Sequence, residues 1–158
     1  MKRLLIIILC LPLLLSCHKM MDPYTGGDGV RANINGSIYA LFGKVGSKEY
    51  ADAGIADQYR RFVLKAPLVS TVYGKEPKYI LSIDLLSMSA LETETEYALS
   101  DKASIQTANG EKSSLTGWIR FTLIDLDKGI IEARFELHSP QFSVRHGFLR
   151  LPMTVSVN

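Results

Sequence analysis

The chain of 158 residues carries 18 Lys and Arg against 16 Asp and Glu, and 47% of its residues are hydrophobic. This composition suits one globular domain and excludes a wholly disordered chain, a collagen-like chain and a polytopic membrane protein. Lys2 and Arg3 stand ahead of an apolar run, and the rest of the chain holds 16 basic and 16 acidic residues. A neutral domain offers no electrostatic reason to expect nucleic acid, which requires clustered Lys and Arg.

The N-terminal segment has the features of an export signal. A short basic start precedes an apolar run of twelve residues, Leu4 to Leu15. As a helix rising about 1.5 Å per residue, the run spans roughly 18 Å, which is short of the roughly 30 Å hydrocarbon core of a bilayer. We therefore expect residues 1–16 to be a signal peptide and not a membrane-spanning helix.

The end of the apolar run, Leu14-Leu15-Ser16-Cys17, resembles a bacterial lipobox. The resemblance implies cleavage between Ser16 and Cys17, diacylglycerol on the Cys17 sulfur and attached fatty acid such as palmitate. Two or three acyl chains, at about 0.8 kcal/mol per buried methylene, would attach the protein stably to a membrane without spanning it. Two alternatives stay open: a secretory signal cut elsewhere, with Cys17 a chance thiol, and lipidation of Cys10, which lacks a small residue before it.

Residues 17–29 contain three Gly, two Asp and one Pro and have no apolar period, so they predict a flexible tether ahead of a domain over residues 30–158. The tether would hold the domain within roughly 20 Å of the bilayer. Because His18 and not Asp follows Cys17, the lipobox resemblance implies the outer membrane. Only Asp22 stands where surface-exported lipoproteins carry an acidic cluster, so we expect the domain to face the periplasm, with surface display left open.

The domain itself is predicted to be all-β, because apolar and polar residues alternate with a period of two from Val30 onward. The clearest stretch, Gly117 to Ser139, predicts an antiparallel hairpin whose turn has Gly129 in a left-handed conformation. Pairing Leu126 with Ile130 sets the remaining register. The expected cross-strand pairs are Phe121 with Phe135, Ile119 with Leu137, Leu123 with Ala133, Arg120 with Glu136, and Trp118 with His138.

Other strands are expected at Val30 to Phe42, Tyr59 to Leu64, Tyr79 to Leu86 and Phe148 to Val157. The first is expected to continue through Gly36 with one inner face, formed by Ala32, Ile34, Ile38, Ala40 and Phe42. Pro152 argues that the last strand lies at an edge or contains a bulge. We place Pro67, Pro77 and Pro140 in connections. Six to nine antiparallel strands predict a sandwich or a small barrel.

Three motifs have structural explanations that compete with functional ones. Asp125 to Gly129 begins like a calcium loop but lacks the later ligands, so we interpret it as the hairpin turn. The alternating acids Glu92, Glu94 and Glu96 are interpreted as a solvated loop or edge. His138 and His146 match no zinc motif in their spacing, so we predict no metal site.

Trp118 and His138 are the candidate ligand-contact residues. Both are expected on the wet face of the hairpin, where an exposed indole ring is unusual and suggests contact with a ligand, a loop or a second sheet. The sequence contains no recognisable arrangement of catalytic acids, nucleophile or phosphate loop. We therefore predict a protein that is not an enzyme and requires no cofactor.

The organisation resembles short lipid-anchored proteins of Bacteroidetes that belong to families of unknown function. The resemblance rests on the lipobox, the short tether, Asn35-Gly36-Ser37, and a late hairpin with the segments Leu115 to Phe121 and Ile131 to Leu137. It implies an outer-membrane lipoprotein whose β-domain binds a protein partner or ligand in the envelope. The alternatives are an envelope hydrolase with unidentified acid and base residues and a carrier of small lipids or glycans.

Overall fold

A computed structural model describes residues 29–41, 52–72 and 76–155. The expected signal peptide, its cleavage site and the lipidation site at Cys17 lie outside the described residues. The described chain is all-β, as predicted, and contains no helix. Its strands are β1 Gly29–Ile34, β2 Ser37–Leu41, β3 Asp52–Ala56, β4 Arg61–Ser70, β5 Pro77–Leu86, β6 Glu96–Ala98, β7 Ala103–Thr107, β8 Lys112–Asp125, β9 Ile130–His138, β10 Ser143–Pro152 and β11 Thr154–Val155.

Eight of these strands close into an antiparallel barrel. Their order around the barrel is β4, β2, β1, β10, β9, β8, β7 and β5, and the β5–β4 pairing completes the ring. Three short strands extend it: β3 pairs with β4, β11 lies parallel to β3, and β6 pairs with β8. The fold is therefore the barrel alternative of the sequence prediction, with more strands than the six to nine expected.

The prediction of one continuous strand from Val30 to Phe42 is wrong, because the described part of this segment forms a hairpin. Asn35 and Gly36 both have positive φ, 51° and 86°, and form a two-residue turn between β1 and β2. Positive φ at both central positions defines the turn type that suits the twist of a hairpin, and Asn-Gly is its preferred sequence. The turn brings Tyr39 and Leu41 to the inner face of β2 and leaves Ile38 exposed, although Ala40 is buried as predicted. Phe42 lies outside the described residues.

The predicted β8–β9 hairpin exists, but its register is wrong by two residues. Phe121 pairs with Ala133, Ile119 with Phe135, and Arg120 with Arg134. The turn is longer than expected, because Asp125 and not Leu126 stands opposite Ile130. A bulge after Phe121 adds the second residue of the shift and places Leu123 opposite Glu132. A shift of two residues keeps Ile119, Phe121 and Phe135 on their predicted inner face, and all three are buried. The prediction for Leu123 is wrong, because the bulge places it on the outer face with Glu132 and brings Ile124, which packs against the core, to the inner face. Gly129 has the predicted left-handed φ of 62°.

Of the three prolines predicted to lie in connections, Pro67 and Pro77 lie in strands, whereas Pro140 lies between β9 and β10 as predicted. Pro67 lies inside β4, where it pairs with Ile80 of β5. The other edge of β4 pairs with β3 only as far as Lys65 and with β2 only from Val69, so Pro67 falls between the two partners and no ladder needs its missing N–H. Pro152 ends β10, which lies between β1 and β9 and is not an edge strand, but β10 contains a bulge between Val144 and Gly147, the second alternative of the prediction. Pro77 begins β5.

The barrel interior is one hydrophobic core. Phe62 on β4 and Phe121 on β8 meet edge to face inside it, with ring centroids 5.1 Å apart. Residues 87–95 then cover the adjacent end of the barrel. The backbone N–H of Leu91 donates to the carbonyl of Tyr59, just before β4, and that of Glu94 donates to the carbonyl of Phe121 on β8. The segment thus links β4 with β8, and Leu91 is buried.

Candidate functional site

Trp118 and His138 lie on the outer face of the β8–β9 hairpin, as predicted, but they do not face each other. Trp118 is half-buried and stands opposite Glu136, with Ala98 of β6 on its other side. His138 is exposed, stands opposite Thr116, and its Nε2 lies 3.1 Å from the Thr116 hydroxyl. The two residues are therefore diagonal neighbours, about 7–8 Å apart at their backbones. A ligand role for either stays a prediction.

The same outer face carries a cluster of arginines that the predicted register did not place together. We call the outward side chains of β1, β8, β9 and β10 the arginine wall. One row of paired residues crosses all four strands, from Arg31 through Phe148 and Arg134 to Arg120. Three strand spacings of about 4.8 Å make this row roughly 14 Å long. The wall holds five arginines: Arg31, Arg120, Arg134, Arg145 and Arg150.

The central pair of the wall, Arg120 and Arg134, is electrostatically unfavourable. The two residues stand directly opposite each other on β8 and β9, and like charges in that position destabilise a sheet. Among the described residues, no carboxylate lies within 4.0 Å of either guanidinium. Glu96, the acid opposite Arg120 on β6, makes no such contact. The Nε of Arg120 is also buried without a hydrogen-bond partner in the described part of the chain.

The remaining arginines of the wall have local partners. Arg150 donates to Glu132 at 2.9 Å, and Glu132 also accepts from the Thr122 hydroxyl at 2.7 Å. Arg145 donates from Nε to the Ser143 hydroxyl at 3.1 Å and remains exposed. Arg31 and Phe148 are likewise engaged. The charges available to an external ligand are therefore those of Arg120, Arg134 and Arg145.

A bulge in β10 determines where Arg145 points. The register with β9 shifts between Val144 and Gly147, and the two residues between them, Arg145 and His146, are both exposed. Gly147 returns to the inner face, where a Cβ atom would lie 2.3 Å from the ring of Phe135. Glycine is required at this position because the ring occupies the space of a side chain.

On the opposite side of the barrel, an arginine is paired with a carboxylate. On β4 and β5, which we call the β4–β5 wall, Arg61 donates two hydrogen bonds to the carboxylate of Asp84, at 2.8 and 2.7 Å. These bonds lower the pKa of Asp84 and raise that of Arg61. Three exposed large hydrophobic residues, Val63, Leu86 and Met88, lie on or beside this wall.

The end of the barrel far from residues 87–95 is closed by an aromatic row. Tyr39 meets Tyr79 edge to face at 4.9 Å, and Tyr79 meets Phe142 at 5.9 Å. Lys78 lies 5.9 Å from the centroids of both tyrosine rings. Burial and the neighbouring Tyr39 raise the pKa of Tyr79. This end therefore has a packing role that its contacts fully explain.

The interpretation of the Asp125 motif as a turn agrees with its contacts. The Asp125 carboxylate accepts from the backbone N–H of Lys128 at 2.9 Å and pairs with its ammonium at 3.2 Å. Both contacts lower the pKa of Asp125. Across the described ranges, no group of three His, Cys, Asp or Glu side chains is arranged to hold a metal ion.

Comparison with known proteins adds no relative to this picture. No protein-family model, no curated protein and no solved structure matches the chain. In the part of the chain that the structure describes, no helix is long and apolar enough to cross a membrane.

Sequence reasoning missed the arginine wall because the wall depends on register. The predicted pairing placed Arg120 opposite Glu136, which is a favourable cross-strand pair. The observed shift of two residues replaces Glu136 with Arg134. A sequence signal did exist, since alternation correctly predicts that Arg120 and Arg134 point outward from the hairpin.

Proposed function

We propose that this protein is a lipid-anchored protein of the bacterial outer membrane, and that its barrel binds a partner through the arginine wall. The proposal for the wall rests on one observation: Arg120 and Arg134 face each other without a carboxylate in ion-pair distance. A like-charge pair weakens the sheet in the isolated protein. An external anion that contacts both guanidinium groups would remove that disadvantage.

Anchoring is supported by the sequence and by where the fold begins. The segment Leu14 to Cys17 has the order of a lipobox, and the first strand starts at Gly29, twelve residues after Cys17. A chain of that length and composition spans roughly 20 Å. The barrel would therefore stay close to the membrane surface on the side to which the protein is exported.

The interior of the barrel favours this function over the transport of small lipids. Such a carrier needs an interior cavity, whereas Phe62 and Phe121 pack ring to ring inside this core. The arginine wall is on the outside. We therefore place binding on the outer surface of the barrel.

Anchoring is tested by labelling cells that express the full chain with an alkyne analogue of palmitate and separating their membranes on a density gradient. We expect label on the wild-type protein in the outer-membrane fraction and on Cys10→Ser. Cys17→Ser should lose the label and leave that fraction. Label that persists in Cys17→Ser would refute lipidation at this position.

The binding role of the wall is tested by crosslinking intact cells and purifying the lipidated protein with its partners. The wild-type protein is compared with Arg120→Gln/Arg134→Gln and with a control, Arg60→Gln/Lys65→Gln, that removes the same charge elsewhere. We expect the wall variant alone to lose its crosslinked protein or lipid. An unchanged pattern in the wall variant would contradict a binding role for this surface.

A further inference from the structure

The composition of the arginine wall indicates what kind of surface it contacts. The five arginines share the four strands of the wall with three acids, Asp125, Glu132 and Glu136, and the wall therefore has an excess of positive charge. The charge is spread along a row of about 14 Å and is not focused in a cleft. Such a surface suits an extended array of anions better than one small ligand.

The apolar content of the wall argues against a protein partner. Stable protein interfaces have a dehydrated apolar or aromatic centre. The wall aromatics Trp118 and Phe148 are only half-exposed. Phe148 stands between Arg31 and Arg134, and Trp118 stands between Glu136 and Ala98. The exposed large hydrophobic side chains of the described residues lie outside the wall: Ile38, Val63, Val72, Leu86, Met88 and Leu126.

The wall lies close in sequence to the proposed lipid anchor, and the anionic array nearest to that anchor is the bilayer surface. Strand β1 belongs to the wall and is the first strand of the barrel, and its residue Gly29 pairs with Arg150. Arg31 follows Cys17 by only fourteen residues. If Cys17 is acylated, the chain segment between the bilayer and the barrel is therefore shortest for the wall that contains β1. At such short range even a weak attraction is effective, because the tether keeps the local concentration of lipid high.

We propose that the arginine wall lies against the anionic lipid headgroups of the membrane to which the protein is attached; this rests on the proposed function above. Arg120, Arg134 and Arg145 supply guanidinium groups, whose planar donors match the oxygens of a lipid phosphate. Trp118 is placed beside them, and indole rings favour the interfacial depth of a bilayer. Contact with the bilayer orients the barrel, so that the β4–β5 wall with its exposed apolar residues faces away from the membrane.

The test uses the whole chain that the proposed cleavage leaves, residues 17–158, with Cys17→Ser so that no acyl chain contributes. Its binding to sedimented vesicles is measured for pure phosphatidylcholine and for an equimolar mixture with phosphatidylglycerol. We expect binding to the anionic vesicles only, and a steep decrease as salt is added. Equal binding to both kinds of vesicle, or none to either, would overturn the proposal.

The wall variant makes the test specific. Because one basic residue at an anionic bilayer surface contributes roughly a fivefold increase in binding, the two substitutions Arg120→Gln/Arg134→Gln are expected to lower partitioning about 25-fold. The control Arg60→Gln/Lys65→Gln has the same net charge and should bind nearly as well as the wild-type sequence. Equal losses in both variants would mean that net charge and not the wall is responsible, and would overturn the proposal.

A folding measurement separates loss of contact from loss of structure. Since the wall variant removes a like-charge pair, its melting temperature is expected to equal or exceed that of the wild-type chain. A vesicle result that fails, together with wall-dependent crosslinking to a protein in cells, would overturn the lipid assignment and leave the proposed function intact. Failure of palmitate labelling alone would instead refute the anchor.

Discussion

The arginine wall and the β4–β5 wall belong to one barrel but place arginine in opposite electrostatic surroundings. Arg61 is held by two hydrogen bonds from its guanidinium to Asp84, whereas Arg120 and Arg134 face each other without an acid in reach among the described residues. Local stability explains the first arrangement and argues against the second. The difference is that Arg120 and Arg134 lack an acid in ion-pair distance within the described part of the chain, and they lack it on the wall that contains the first strand of the barrel.

The largest expected effect tests whether the two walls share one folding unit. Phe121 of β8 packs against Phe62 of β4, so Phe121→Ala should reduce the free energy of unfolding by about 3–5 kcal/mol. Urea denaturation is followed by circular dichroism for the whole barrel and by fluorescence of Trp118, the single tryptophan, for the arginine wall. We expect coincident transitions. Separate transitions would show that the walls unfold independently.

The matched control is Val63→Ala. Val63 lies on the outer face of β4 and is 39% exposed, so its truncation should change the free energy of unfolding by less than about 1 kcal/mol. A comparable loss in both variants would contradict the assignment of Phe121 to the shared core.

A smaller effect is expected from removing the like-charge contact by charge reversal. Arg134→Glu places a carboxylate opposite Arg120 and should raise the free energy of unfolding by about 0.2–1 kcal/mol. The mirror variant on the β4–β5 wall, Asp84→Arg, brings a second cation beside Arg61 and should lower stability. Thermal unfolding at low salt measures both. A loss of stability in Arg134→Glu would show that the two guanidinium groups do not repel each other.

The smallest effect is the pH dependence of the Arg61–Asp84 pair. Because the pKa of Asp84 is lower in the folded protein than in the unfolded chain, its contribution to stability is complete above the ordinary carboxyl pKa of about 3.9. That contribution disappears as the pH falls through the lower folded-state pKa. We expect Asp84→Asn to melt slightly below the wild-type protein at neutral pH and together with it in strong acid. A difference that grows in acid would contradict this sign.

The sequence was most informative about which face each residue occupies. Alternation placed Ala32 and Ile34 of β1 on the inner face, and both are buried. Register and strand boundaries were less predictable. The Asn35-Gly36 turn was readable from its preferred hairpin sequence, but the alternation on both sides of it also fits one uninterrupted strand. Period alone does not distinguish a strand from a hairpin with a two-residue turn.

The arginine wall required information that no local pattern contains. The bulge after Phe121 and the four-residue turn together set the β8–β9 register, and the row is completed by β1 and β10 from opposite ends of the chain. A neutral total charge conceals this segregation, because the compensating acids lie elsewhere. Cys17 is the reverse case: its expected role depends on a short contiguous motif, which stays a sequence prediction.

The pairing of β1 with β10 also determines when the barrel can form. Gly29 and Arg150 are paired across almost the full length of the domain, so the first strand has no partner on one edge until the last long strand has emerged. Chains dominated by such distant pairings fold slowly, because loop-closure entropy is lost before the contacts form. A chain threaded N-terminus first through a translocation channel would therefore remain unfolded until its passage is nearly complete.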